Sequence, residues 1–307
     1  MSALSPDELR ARVAGLSVWR RGAQRAPHKP LLLLYALARL AEGRRDLRYS
    51  AVEPALKGLL QAFGPPRATH HPEYPFWWLR TDGLWEVEDT DALTMRSGHN
   101  APTLTSLRQL DPAGRLPDAV ATTLGAHPGL ASELARALLD AHFPASLHDE
   151  ILDAVGLDLG PIRAMSRKRR RDPAFREAVL RAYGYRCAVC GFGARVGPVL
   201  VGVDAAHVMW HQTGAAGVDA VTNGLALCAL HHRLLDRGAF TLASAGSTEA
   251  VVEVSEAAHG GAGFERWLLD FHGRPVARPV SDGYRVAEPS VAWHRREVFR
   301  GPARARP

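Results

Sequence analysis

Two short pairs of metal-type donors constrain this chain more than anything else in it. Cys187-Ala188-Val189-Cys190 is the first, and Cys228-Ala229-Leu230-His231 is the second, followed at once by His232. Donors with two residues between them can both reach one ion from a tight knuckle, and two such knuckles complete a tetrahedral site of the kind structural zinc takes. All 3 cysteines of the chain fall in this cluster. Cys187, Cys190, Cys228 and His231 therefore read as the ligands of a structural Zn2+. Three other readings compete. A disulfide needs an oxidising compartment and strands the odd cysteine. A redox pair belongs beside a βαβ pattern, which is missing here. Three buried free thiols would have no ligand role.

The residues between the knuckles carry their own pattern. Val199 to Val203 reads as a short apolar strand leading to His207. Thr222-Asn223-Gly224 reads as a turn, with Asn and Gly suited to positive φ. Leu225 to Asp236 reads as a helix ended by Arg237-Gly238. On such a helix His231 and His232 point about 100° apart, so one can face the zinc and the other a second site.

His207, Asn223 and His232, held between the two knuckles, resemble the three signature residues of the HNH endonuclease family. The resemblance covers roughly residues 170 to 240 and implies a ββα-metal core. It further implies that His207 is the general base, for which an imidazole titrates in the right range. Asn223 would fix the geometry around His207 by hydrogen bonding. His232 would be a ligand of a catalytic Mg2+ or Mn2+, which stabilises charge on the phosphate and the leaving oxygen. Many family members have an acidic or His metal ligand directly before the first His, where this chain has Ala206. Asp204, or an oxygen from elsewhere, is the replacement to look for. His211 reads as a solvated loop histidine.

A length of 307 residues favours two domains, and 46% hydrophobic with 23% charged residues describes an ordinary globular chain. The net charge of +6 suits a polyanionic partner, although charge alone is weak evidence. The opening residues have no signal-peptide pattern, and Leu31 to Leu40 is too short to span a membrane. A cytoplasmic protein is expected, in keeping with zinc on its cysteines.

In the first half, Ser5-Pro6-Asp7-Glu8 marks a helix start. Leu31 to Leu40 reads as a buried helix. Ser50 and Glu53 suggest a capping start to a helix through Leu60. The aromatic stretch from His70 to Arg80, rich in proline, reads on its own as a core strand of a hairpin, with His70 and His71 solvated at its turn. Leu130 to Leu157 reads as two helices broken at Phe143-Pro144.

Taken together, Ala26-Pro27-His28-Lys29-Pro30 with the leucine run, Phe63-Gly64-Pro65, and His71-Pro72-Glu73-Tyr74-Pro75-Phe76-Trp77-Trp78-Leu79 resemble the sulfur-binding domain. That domain precedes HNH modules in type IV-like restriction endonucleases that cut phosphorothioate-modified DNA. This second resemblance covers about residues 8 to 155. It implies a sulfur and DNA site at His28, Lys29, Tyr74, Pro75 and Trp78, with Arg96, Ser97, His99 and Asn100 as candidates for base contacts. Sulfur is larger, softer and less hydrated than phosphate oxygen, so a shallow apolar cup could select it.

Arg167, Lys168, Arg169, Arg170 and Arg171 form an unbroken basic run. Such a run is commonly a solvated linker; beside a nuclease it also suits phosphate contacts with counterion release. The expected architecture is α+β: a mostly helical sulfur-binding-like domain at 1–157, a basic linker at 158–172, and a zinc-stabilised ββα-metal nuclease at 173–307. The expected function is cleavage near phosphorothioate marks in double-stranded DNA, by a homodimer, with no membrane partner. The rivals are an HNH endonuclease reading a methylated base or plain sequence, and a non-catalytic zinc-stabilised regulator.

Overall fold

The computed structural model describes residues 4–18, 24–158, 173–210, 219–244 and 249–305. The basic run Arg167–Arg171 and His211 lie outside these residues. The chain divides into two compact units, Met1–Arg167 and Lys168–Pro307. Among the described residues, no helix is long and apolar enough to cross a membrane.

The first unit is helix-rich. Helix α1 (Pro6–Ala14) starts as its sequence requires: Ser5 Oγ accepts from the Glu8 amide, and the Glu8 carboxylate accepts from the Ser5 amide. Helix α2 (His28–Ala41) buries Pro30, the four leucines 31–34, and Ala36, Leu37 and Ala38. A helix apolar on nearly every side has to run through the core, and α2 packs on α3 (Tyr49–Phe63), α4 (Glu73–Trp78), α7 (Leu130–His142) and α8 (His148–Val155). A small antiparallel sheet of β1 (Leu47–Arg48), β2 (Glu86–Val87) and β3 (Ala113–Arg115) has β3 in the middle.

Two expectations fail here for local reasons. Ser50 does not cap α3. Its amide and hydroxyl both donate to the carboxylate of Asp111, so the cap is borrowed from a residue distant in sequence. The aromatic stretch is helix α4, not a strand: Pro72 precedes its first turn, where a missing N–H costs nothing, and Phe76 and Trp77 turn inward together.

In the second unit, helix α9 (Pro173–Ala182) packs on a hairpin of β6 (Val203–His207) and β7 (Gly224–Cys228). An exposed hairpin, β4 (Ala194–Val196) with β5 (Val199–Val201), precedes it. Helix α10 (Ala229–Asp236) follows β7 directly. The apolar run Leu225–Leu227 thus belongs to a strand, paired with Asp204–Ala206, and not to the helix. Both faces of β7 are buried, so it lacks the alternation that marks a half-exposed strand. Strands β8 (Phe240–Ser244) and β9 (Ala250–Val254) and helix α12 (Glu288–Glu297), with α11 (Ala262–Trp267) between them, complete the unit.

Asn223 and Gly224 do not adopt positive φ, contrary to the turn reading. Glycine is needed at 224 for closeness instead. A Cβ there would lie 2.4 Å from Val179 Cγ2 and 3.2 Å from the Phe175 ring, both on α9.

Candidate functional site

Strand β6, the turn before β7, and helix α10 place His207, Asn223 and His232 in the second unit. In β6 the side chains alternate, so His207 faces away from Asp204 and Ala206. The His207 ring lies flat on Phe175 of α9, with centroids 4.1 Å apart and planes 13° off parallel. Its Nε2 is 2.8 Å from Asp219 Oδ1. Asn223 is buried and clasps the backbone just past His207: Oδ1 accepts from the Met209 amide at 2.8 Å, and Nδ2 donates to the Met209 carbonyl at 2.9 Å. A backbone bond from the Val208 amide to the Asn223 carbonyl, at 2.9 Å, completes the clasp. Asn223 therefore fixes the chain that carries His207.

On α10 the adjacent histidines diverge as helix geometry demands. His231 is fully buried and joins the sulfurs, its Nδ1 lying 3.1 Å from Cys228 Sγ and 3.6 Å from Cys187 Sγ. The donor atoms of Cys187, Cys190, Cys228 and His231 all lie within 4.8 Å of one another. A hydrogen bond from Cys228 holds the Cys187 thiol below its ordinary range, and the same bond pushes Cys228 up to about 11. Soft sulfur donors with one imidazole, closely spaced and largely buried, fit a tetrahedral zinc ion. The outer imidazole nitrogen, Nε2, lies 2.8 Å from the Trp267 carbonyl, the outer-shell bond that orients a ligating histidine.

His232 points the other way, with its Nε2 3.4 Å from the buried Asp236 carboxylate one turn along. Among the described residues, the Cys3His cluster is the one group of three or more donors close enough to hold an ion. Asp204 is occupied elsewhere, in a 2.7 Å ion pair with Arg176 of α9.

In the first unit, the predicted sulfur-site residues split into a rim and a support. Tyr74 is exposed on α4, and its ring is flanked on two sides. His71 stacks on it at 5.1 Å, and the Arg96 guanidinium lies 5.3 Å from its centroid while donating to the phenol oxygen at 2.8 Å. Buried Glu73 ties both flanks together, 3.0 Å from His71 Nδ1 and 3.4 Å from an Arg96 nitrogen. His71 is thus part of the rim, and not a free turn residue. Pro75 is buried and Trp78 half-buried. Ser97, His99 and Asn100 are exposed at the tip of the loop that starts at Arg96, and the Asn100 carbonyl accepts from Trp77 Nε1 at 2.7 Å.

Lys29 and His28 do not act as exposed cations. Lys29 forms a 2.6 Å ion pair with Asp82, both side chains largely buried, and Asp82 also accepts from the Ser17 amide. Burial, reinforced by the positive charge of His70, His71, Arg67 and Arg25, lowers His28 to about 4, so its ring is neutral near pH 7. Sequence reasoning missed Glu73, Phe175, Asp219 and Asp236. Glu73 sits inside the quoted motif and could have been marked as an acid among apolar residues; the other three carry no comparable local signal.

The first unit thus presents Tyr74 between His71 and Arg96, and the second joins a Cys3His cluster to a hairpin and a helix that carry His207, Asn223 and His232. The chain belongs to the family of ScoMcrA-like DNA sulfur-binding domains, whose model matches residues 6–159. The model of an HNH endonuclease matches residues 187–243. Among solved structures, the chain is similar to the sulfur binding domain of ScoMcrA complexed with phosphorothioated DNA, at 31% identity over 48% of this chain and 94% of that one, with a TM-score of 0.43. It is similar to the type IV phosphorothioation-dependent restriction endonuclease ScoMcrA at 30% identity over 48% of this chain, with a TM-score of 0.41, and spans 27% of that enzyme. The sulfur binding domain of SprMcrA, complexed with phosphorothioated DNA, matches at 23% identity over 50% of this chain and 95% of that one, with a TM-score of 0.42. No curated protein matches the chain.

Proposed function

We propose that this protein is a modification-dependent restriction endonuclease that binds phosphorothioated double-stranded DNA through its first unit and cuts nearby with its second. The observation that carries the reading is the union, in one chain, of a sulfur-binding domain with a ββα unit holding His207, Asn223 and His232.

In the first unit, Tyr74, with Pro75 and Trp78 beside it, offers an apolar cup to a weakly hydrated sulfur, and His28 supplies a neutral polar group. Arg96 lies on the rim to meet backbone charge, while Ser97, His99 and Asn100 extend toward base edges. Lys29 acts from below, by fixing the start of α2 against Asp82. The run from Arg167 to Arg171 adds contacts to phosphates.

In the second unit, His207 takes the proton of the attacking water, and Asn223 keeps the His207 backbone in register. His232 would hold a Mg2+ or Mn2+ ion, which when bound offsets charge on the phosphate and on the leaving oxygen. Cys187, Cys190, Cys228 and His231 would hold Zn2+ as a fixed structural centre. One such unit cuts one strand, so a homodimer would make the duplex break. A particle that stays monomeric with and without DNA would remove that part of the reading.

The test is cleavage, with Mg2+ or Mn2+, of two duplexes of one sequence, one of them bearing phosphorothioates. Cutting of the modified duplex alone is expected. Equal cutting of both would keep the nuclease and remove the sulfur reader, and binding without cutting of either would favour a regulator.

A further inference from the structure

The nuclease unit holds a carboxylate that none of the roles above uses. Asp219 stands just ahead of the turn containing Asn223, and its Oδ1 lies 2.8 Å from His207 Nε2. The two are 12 residues apart in sequence. The His207 side chain is 16% exposed and that of Asp219 34% exposed, so the pair is partly shielded from water. The His207 ring cannot swing freely, because Phe175 covers one face of it at 4.1 Å. The backbone on either side is also held. His207 pairs with Gly224 across the hairpin, and the Asn223 clasp follows at Met209.

We infer that Asp219 is the positioning residue of the His207 base. The inference rests on the reading of His207 as base. An imidazole acts as a base only through a nitrogen that carries a lone pair, and which nitrogen that is depends on the bond made by the other. A carboxylate at Nε2 keeps the proton there and leaves the lone pair on Nδ1. It also stabilises the imidazolium formed when His207 takes the proton from water, the same job a buried aspartate does in hydrolase triads. Ring stacking on Phe175 sets the plane, and Asp219 sets the rotation within that plane. Both groups act through His207, which each contacts directly.

The alternative use of Asp219 is as a stand-in for the acidic ligand missing at Ala206. The geometry favours positioning, because Asp219 Oδ1 is already engaged by His207 Nε2 at 2.8 Å.

The experiment compares Asp219→Ala, Asp219→Asn and Asp219→Glu with His207→Ala in the full chain, loaded with zinc, on a phosphorothioate duplex. Single-turnover cleavage should fall at least about 10-fold in Asp219→Ala, up to the roughly 10²–10⁴-fold that a positioned general base contributes. DNA affinity and zinc content should stay at the wild-type level, and Asp219→Glu should recover part of the rate. In parallel, 15N imidazole shifts should report the Nε2–H form of His207 in the wild type, and a mixture of tautomers in Asp219→Ala. An unchanged tautomer and an unchanged rate in Asp219→Ala would overturn the inference while leaving the base reading intact. A His207→Ala variant that still cuts would instead sink the base reading and the inference with it. Should Asp219→Ala fail to fold, the isosteric Asp219→Asn decides by the same two readouts. Loss of rate that tracks a lowered metal affinity, with the tautomer unchanged, would reassign Asp219 as a ligand and overturn positioning.

Discussion

The imidazole Nε2 of His231 lies 2.8 Å from the carbonyl oxygen of Trp267, a residue 36 positions further along the chain. This bond ties the Cys3His cluster to a later part of the unit, so an ion held there would be coupled to the packing of that part. Replacing His231 by alanine should remove bound zinc and the cooperative unfolding transition of residues 168–307 together. Elemental analysis and calorimetry check this. The transition of the first unit should persist, since its core contains no part of the cluster.

Lys29 and Asp82 make the opposite kind of prediction, about stability at a place where function seemed legible. Their charges are 2.6 Å apart with 13% and 6% of the side chains exposed. Removing one partner of such a pair strands the other, so Lys29→Ala should cost on the order of 3 kcal/mol in urea unfolding of the first unit. The double change Lys29→Met with Asp82→Leu should recover much of that loss.

Gly224 tests how closely α9 must approach β7. A methyl group at this position would meet Val179 Cγ2 at 2.4 Å. Gly224→Ala should therefore destabilise the second unit by about 1–3 kcal/mol, the usual cost of overpacking. It should also slow cleavage more than Val179→Ala does, because the helix that moves carries Phe175, the stacking partner of His207. Denaturation and single-turnover rates measure the two effects separately.

His28 predicts a pH dependence. Its folded pKa of about 4 lies below the ordinary histidine value of 6.5, chiefly because the ring is buried. Between those values the unfolded chain binds the extra proton and the folded chain does not. Stability therefore rises with pH across this window and is lost as the solution is acidified from 6.5 toward 4. In His28→Gln, unfolding curves should show a flatter slope between pH 4 and 6.5. An unchanged slope would mean that other groups set it.

The residues that were easiest to read in the sequence are those whose role is local. Cys187 with Cys190, and Cys228 with His231, announce a shared donor cluster through spacing alone, and Ser5 with Glu8 announces a helix start in the same way. The boundary between β7 and α10 was not legible. Leu225, Ala226 and Leu227 are buried on both faces of a strand, and such a run has no period to separate it from a buried helix. Glu73 to Trp78 misled for a related reason: aromatic residues favour strands, but burial of Phe76 and Trp77 against the first unit's core overrides that preference. Asp111 at the start of α3, Asp82 against Lys29 and Asp219 against His207 are partners chosen by the fold, and no spacing rule connects them.

The neighbouring placement of His231 and His232 on α10 bears on how a chelator experiment should be read. One ion would act as a fastener for the helix and the other as a reagent at its surface, so stripping metal stops cutting by either route. Inactivation followed by rescue with Mg2+ or Mn2+ alone would mean the fastener had stayed in place. Rescue that also demands Zn2+, and arrives only at the pace of refolding, would mean that the blade had come apart along with its edge.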